Sequence, residues 1–172
     1  MFSPDLLTEA TNILALARAK SLMIATAESC TGGLIVACLT EIAGSSDVVD
    51  CGFVTYSNDA KTHMIGVSPA LLEMHGAVSA PVAEAMAQGA LDQSRASVSV
   101  AVTGIAGPDG GSAEKPVGLV HIAGQNRHGE LVSERFLFGD SSRNHIRLET
   151  VKAALAILRR LVINTPDRNH NL

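Results

Sequence analysis

The stretch Leu22-Met23-Ile24-Ala25-Thr26-Ala27-Glu28-Ser29-Cys30-Thr31-Gly32-Gly33 decides the fold. Its first six residues are almost continuously apolar, which fits a strand covered on both faces, as in a parallel sheet. The chain then turns polar and reaches paired glycines. Leu34, Ala37, Cys38 and Ile42 follow at helical spacing until Gly44 stops them. A buried strand therefore runs through a tight polar turn into a helix.

Before this unit, Leu6, Leu7, Ala10, Ile13, Leu14 and Ala17 mark one face of a helix over about 5–19, with Pro4 in its first turn. After it, residues 51–57 read as a second strand and 58–64 as a short polar helix. Residues 69–75 and 81–92 read as helices, each with a proline near its start. Residues 97–102 form another buried strand, followed by a loop over 104–116 holding four glycines and two prolines. Residues 117–123 and 130–138 read as an antiparallel hairpin turning at Asn126-Arg127-His128-Gly129. Leu148, Val151, Ala154, Leu155, Leu158 and Val162 line a last helix. Helices interleaved with buried strands predict an α/β fold, a three-layer α/β/α sandwich with a mixed, largely parallel sheet. Residues 1–164 are expected to form one domain and 165–172 a frayed tail.

Composition narrows the functions. The chain has 172 residues, 47% hydrophobic and 17% charged, enough apolar material for a sizeable core. Its net charge is −4, with 3% aromatics and no basic block, a poor basis for nucleic-acid binding. The longest stretch without Asp, Glu, Lys or Arg is 96–108, too short for a bilayer, which needs roughly 17–25 residues. Met1 to Ala10 carries Asp5 and Glu9 and no Lys or Arg, unlike a signal peptide. The three cysteines, Cys30, Cys38 and Cys51, suit neither a disulfide scaffold nor a zinc cage. A cytoplasmic location is expected, without a membrane partner.

Ligands of open α/β sheets bind outside the carboxyl ends of the strands. Two strands become polar there: one at Glu28-Ser29-Cys30-Thr31-Gly32-Gly33, the other at Thr103-Gly104. Ser29 sits at a strand-to-helix turn, as an exposed nucleophilic serine does. The unpaired N–H groups of the following helix can hold a phosphate or an oxyanion. Ser29 or Thr31 would equally serve as an ordinary helix cap. Cys30 competes as nucleophile, because a helix N-terminus lowers a thiol pKa. Neighbours on an extended turn point opposite ways, so only one of the two faces the cleft. Lys61, if desolvated, can take the serine proton, with Tyr56 relaying it or orienting the amine. As a lone residue Lys61 also fits a solvated surface position, and His63 is an alternative base. The glycine loop 104–111 is neither a P-loop nor a dinucleotide fingerprint. Arg143 and Arg147, four apart on one helix face, can clamp a phosphate or form an exposed basic edge. His63 and His75, or His121 and His128, lack metal-ligand spacing, so no metal is expected.

Taken together, Ala27-Glu28-Ser29-Cys30-Thr31-Gly32-Gly33, Val54-Thr55-Tyr56 with Lys61, Gly76-Ala77-Val78-Ser79, Val102-Thr103-Gly104-Ile105-Ala106-Gly107-Pro108 and Lys115-Pro116-Val117-Gly118 closely resemble the CinA C-terminal domain family over roughly 6–160. The resemblance implies a nicotinamide-nucleotide amidase that converts nicotinamide mononucleotide to nicotinate mononucleotide and ammonia. It implies Ser29 as nucleophile, with Tyr56 and Lys61 matching the family's tyrosine and lysine, and no cofactor. Glu28, Cys30, Thr31, Gly32, Gly33, Thr103, Gly104 and Arg143 are expected to line the substrate site. Two departures stand out. Cys51 replaces the first of two glycines common in the family, and Gly139-Asp140-Ser141-Ser142-Arg143 interrupts its Gly-Asp-Arg run. The pyrophosphatase-like domain of larger members is not expected, since the chain begins directly at the amidase-like part. A non-catalytic nucleotide-binding module remains the alternative. A homo-oligomer is expected from the low charge and the abundant Ala, Val and Leu on several helices.

Overall fold

The computed structural model describes residues 2–139 and 141–167. In chain order the elements are α1 (Pro4–Ala19), β1 (Ile24–Glu28), α2 (Leu34–Thr40), β2 (Val49–Val54), α3 (Asn58–Ile65), α4 (Pro69–His75), α5 (Ala80–Asp92), β3 (Val98–Gly104), β4 (Leu119–Asn126), β5 (Leu131–Leu137) and α6 (Arg143–Asn164). The five strands form one sheet in the order β2-β1-β3-β4-β5. β1 runs parallel to β2 and β3, whereas β3–β4 and β4–β5 pair antiparallel. The sheet is mixed, parallel wherever the chain crosses back through helices.

Alternation along the strands assigns the faces. Val98, Val100, Val102, Val120 and Ile122 pack with Ile13, Ile35, Leu155 and Leu158 of α1, α2 and α6. Ala25, Ala27, Ala101 and Ala123 point the other way, against Ile65, Met86, Ala87 and Ala90 of α3 and α5. This is the expected three-layer sandwich. The second face is built from alanines, so its helices approach closely. The tightest place is Gly89 of α5, where a Cβ would overlap the carbonyl of Ile65. Gly89→Ala is therefore expected to destabilise by about 2–3 kcal/mol, although alanine is the better helix former. Thermal melting checks this, and an unchanged or raised Tm contradicts the close approach.

Several boundaries differ from the sequence reading, three of them with a visible cause. β2 starts at Val49, two residues early, because its pairing with β1 shifts register between Ile24 and Ala25. α6 starts at Arg143, five residues before its apolar stripe, since Ser142 caps its N-terminus by accepting the His145 N–H at 3.2 Å. Thr165, expected to open a frayed tail, is buried instead. Its hydroxyl accepts from Asn126 Nδ2 (3.1 Å) and its carbonyl from Lys20 Nζ (2.8 Å). Residues 168–172 of that expected tail lie outside the described residues. No helix among the described residues is long and apolar enough to cross a membrane.

Candidate active site

Ser29 follows β1 directly, and its N–H donates to Val102 O at 3.1 Å, one rung beyond the strand. Strand alternation continues Ala25 and Ala27 into Ser29, so its side chain rises on the α3/α5 face. Ser57 begins α3 by accepting the Ala60 N–H at 3.0 Å. The next turn of α3 carries Lys61 down onto the sheet. Lys61 Nζ lies 3.1 Å from Ser29 Oγ and 2.9 Å from Thr55 O. The lysine is 1% exposed and neither partner is a carboxylate. Burial therefore pulls its pKa below the ordinary 10.5. An uncharged amine at that distance can accept a serine proton. The sequence alternative of a solvated surface lysine is excluded. The exposed His63, whose Nδ1 meets Asp59 O at 2.8 Å, makes no contact with Ser29.

The helix terminus does not do what the sequence suggests. Glu28 is completely buried. Its carboxylate accepts from the N–H groups of Gly33 (3.0 Å), Ile35 (3.0 Å) and Val36 (2.8 Å). It also accepts from the hydroxyls of Thr26 (3.2 Å) and Thr31 (2.7 Å). The start of α2 thus holds an internal anion, and its donors are not open to a substrate phosphate. Glu28 and Thr31, expected to line the substrate site, face inward on the α2 side instead. Gly32 and Gly33 adopt φ of 59° and 98°, which lets the chain double back around that carboxylate. Cys30 also turns inward and is 6% exposed, and burial pushes its thiol up to about 12. A thiol held protonated is no nucleophile at neutral pH, so Ser29 is the one of the pair that faces Lys61.

Thr103 and Gly104 both have packing partners at the end of β3. The Thr103 hydroxyl is buried and donates to Ala77 O at 2.8 Å. A Cβ on Gly104 would strike Val120 and the Leu119 carbonyl, so strand packing explains this glycine. Lys115 Nζ donates to His75 O (2.8 Å) and Ser79 Oγ to Gly76 O (2.9 Å). Together with Thr103, these bonds pin segment 75–79 above the end of β3. Cys51 is half-buried and packs against the α5 side of the sheet.

Tyr56 is 61% exposed, and its hydroxyl accepts from Arg143 Nη2 at 3.0 Å rather than meeting Lys61. Arg143 Nη1 donates to Gly107 O at 2.9 Å. Arg147 goes elsewhere, donating to Thr31 O at 2.7 Å, so the two arginines do not form one clamp. Sequence reasoning missed Thr55. Its N–H donates to Glu28 O at 2.9 Å and its carbonyl receives Lys61, while its buried hydroxyl has no partner among the described residues. Nothing in the sequence marks a residue that acts through its backbone.

The fold is shared with proteins of known structure. The sequence profile of the CinA C-terminal domain matches residues 7–162, and the chain belongs to that family. The nicotinamide-nucleotide amidohydrolase PncC of Escherichia coli K12 is 49% identical over 141 residues, covering 82% of this chain and 85% of that protein. A Symbiobacterium thermophilum relative is 47% identical over 157 residues, yet the chain spans only 36% of that longer protein. The crystal structure of the competence/damage inducible protein CihA from Agrobacterium tumefaciens superposes with a TM-score of 0.92 at 55% identity, covering 94% of this chain and 98% of that one.

Proposed function

We propose that this chain is an amidohydrolase that converts nicotinamide mononucleotide to nicotinate mononucleotide and ammonia through a serine ester. The observation that carries the reading is the 3.1 Å contact between Ser29 Oγ and a desolvated Lys61 amine. The name of the Escherichia coli relative supplies the substrate. Ser29 Oγ attacks the carboxamide carbon while Lys61 takes its proton. The protonated lysine then delivers that proton to the departing amide nitrogen, and ammonia leaves as the acyl ester forms. Water, deprotonated by the same amine, attacks the ester and returns Ser29. In the turn, the Gly32 N–H is used by Ser29 O and the Gly33 N–H by Glu28, so neither serves as an oxyanion donor. Arg143, exposed beside the site, anchors the phosphate. Tyr56 assists proton transfer to the leaving nitrogen.

The test is incubation of the protein with a panel of nucleotide amides, read by mass spectrometry and ammonia release. Nicotinamide mononucleotide is expected to gain the mass of –NH2 replaced by –OH, with stoichiometric ammonia. Tight binding without turnover of any amide would support the alternative, a nucleotide-binding module.

A further inference from the structure

We infer that Arg143 makes the use of Tyr56 conditional on an anionic substrate group, so that the phosphate is required for turnover as well as for binding. The inference rests on the amidase reading and deepens it. Tyr56 follows β2 and Gly107 follows β3, and these strands lie on either side of β1, which carries Ser29. Arg143 joins the two loops with one guanidinium, donating to the Tyr56 hydroxyl at 3.0 Å and to Gly107 O at 2.9 Å. The bridge therefore crosses the end of the strand that presents the nucleophile. While it stands, the Tyr56 hydroxyl is held at Arg143, its own O–H undonated to Lys61 or Ser29, whose side-chain hydrogen bonds among the described residues are with each other and Thr55 O.

Both acceptors on Arg143 are neutral. A phosphate oxygen is charged, and charge-assisted bonds to a guanidinium are about twice as strong as neutral ones. Arg143 is exposed, so an incoming phosphate reaches it without unfolding anything. Once the anion takes Nη2, the phenol is released at the mouth of the site, free to turn toward the leaving nitrogen. Arg147 is not placed for this role: its Nη2 holds Thr31 O and its Nε is buried. A ligand shifts an equilibrium only by its differential affinity for the two arrangements. Here that difference is a dianion exchanged for a phenol oxygen.

The experiment compares kcat/KM for nicotinamide mononucleotide and for nicotinamide riboside, the same amide without the phosphate. Wild type, Tyr56→Phe and Arg143→Gln are each assayed with and without phosphite dianion. Tyr56→Phe is expected to cost the mononucleotide about 100-fold and the riboside less than about twofold. Phosphite is expected to accelerate riboside turnover in wild type and not in Tyr56→Phe. Arg143→Gln, which frees the phenol permanently, is expected to raise the riboside rate severalfold and to abolish phosphite activation. A tyrosine that only packs, or one that acts unconditionally, costs both substrates the same factor, and that result overturns the inference. So does riboside turnover that phosphite leaves unchanged or undetectable. If wild type hydrolyses neither amide, the amidase reading itself fails, and the inference falls with it.

Discussion

Lys61→Met is expected to lower kcat by about four orders of magnitude, and Ser29→Ala by about as much. The double variant is expected to be no worse than either single one, because a nucleophile and its base act as a unit. Steady-state ammonia release checks all three, and additive losses would place the two residues in separate steps. The pH profile carries the sign of the lysine's role. Burial lowers the Lys61 pKa below 10.5, so the active, uncharged amine accumulates as pH rises. An ascending limb in kcat/KM is expected, with its midpoint below that ordinary value, and Lys61→Met removes it.

Stability rises over the same pH range. Between the lowered folded pKa and the unfolded value of 10.5, the unfolded chain binds more protons, so wild-type stability rises with pH across that window. Below the window the folded state carries the full cost of burying a charged amine. Lys61→Met removes that cost, and its melting temperature at neutral pH is expected to exceed the wild type's. A less active, more stable variant is the signature of a residue strained for function.

Glu28→Ala carries the largest expected stability loss, about 3–5 kcal/mol. It strips the acceptor from three backbone N–H groups and two threonine hydroxyls in a site from which water is excluded. Glu28→Gln is expected to do little better than halve that loss, since its amide –NH2 would face groups that are themselves donors. Denaturant titration measures both. A loss below about 1 kcal/mol for the alanine variant would mean that the turn after β1 does not depend on its internal carboxylate.

The contrast between Ser29 and Glu28 shows where the sequence is legible. The apolar run before them marks a buried strand, and small polar residues after it mark a ligand-facing strand end. Both inferences use local periodicity. Neighbouring side chains on a strand nevertheless point to opposite faces, so at most one of Glu28 and Ser29 can face α3. Motif proximity put both in the substrate site, and the pleat separates them. Thr103 is hard to read for a different reason. Its partner, the Ala77 carbonyl, lies 26 residues earlier, and no local pattern announces a bond across that distance. Lys61 is the converse case. As a lone lysine in a polar helix its burial is invisible; its place just after the second strand makes it a candidate base, and the motifs it shares with the family add to that reading.

The distance between Ser29 and Lys61 is set across a single strand pairing. Glu28 O receives the Thr55 N–H, and Thr55 O receives Lys61, so the base is positioned by the end of β2. That strand is an outer member of the sheet, flanked on one side only. Fraying there would part the amine from the hydroxyl while β3, β4, α5 and α6 stay packed. Heating is therefore expected to part Lys61 from Ser29 before the interior melts, so that the edge of the sheet and not its centre sets the temperature at which the pair is lost.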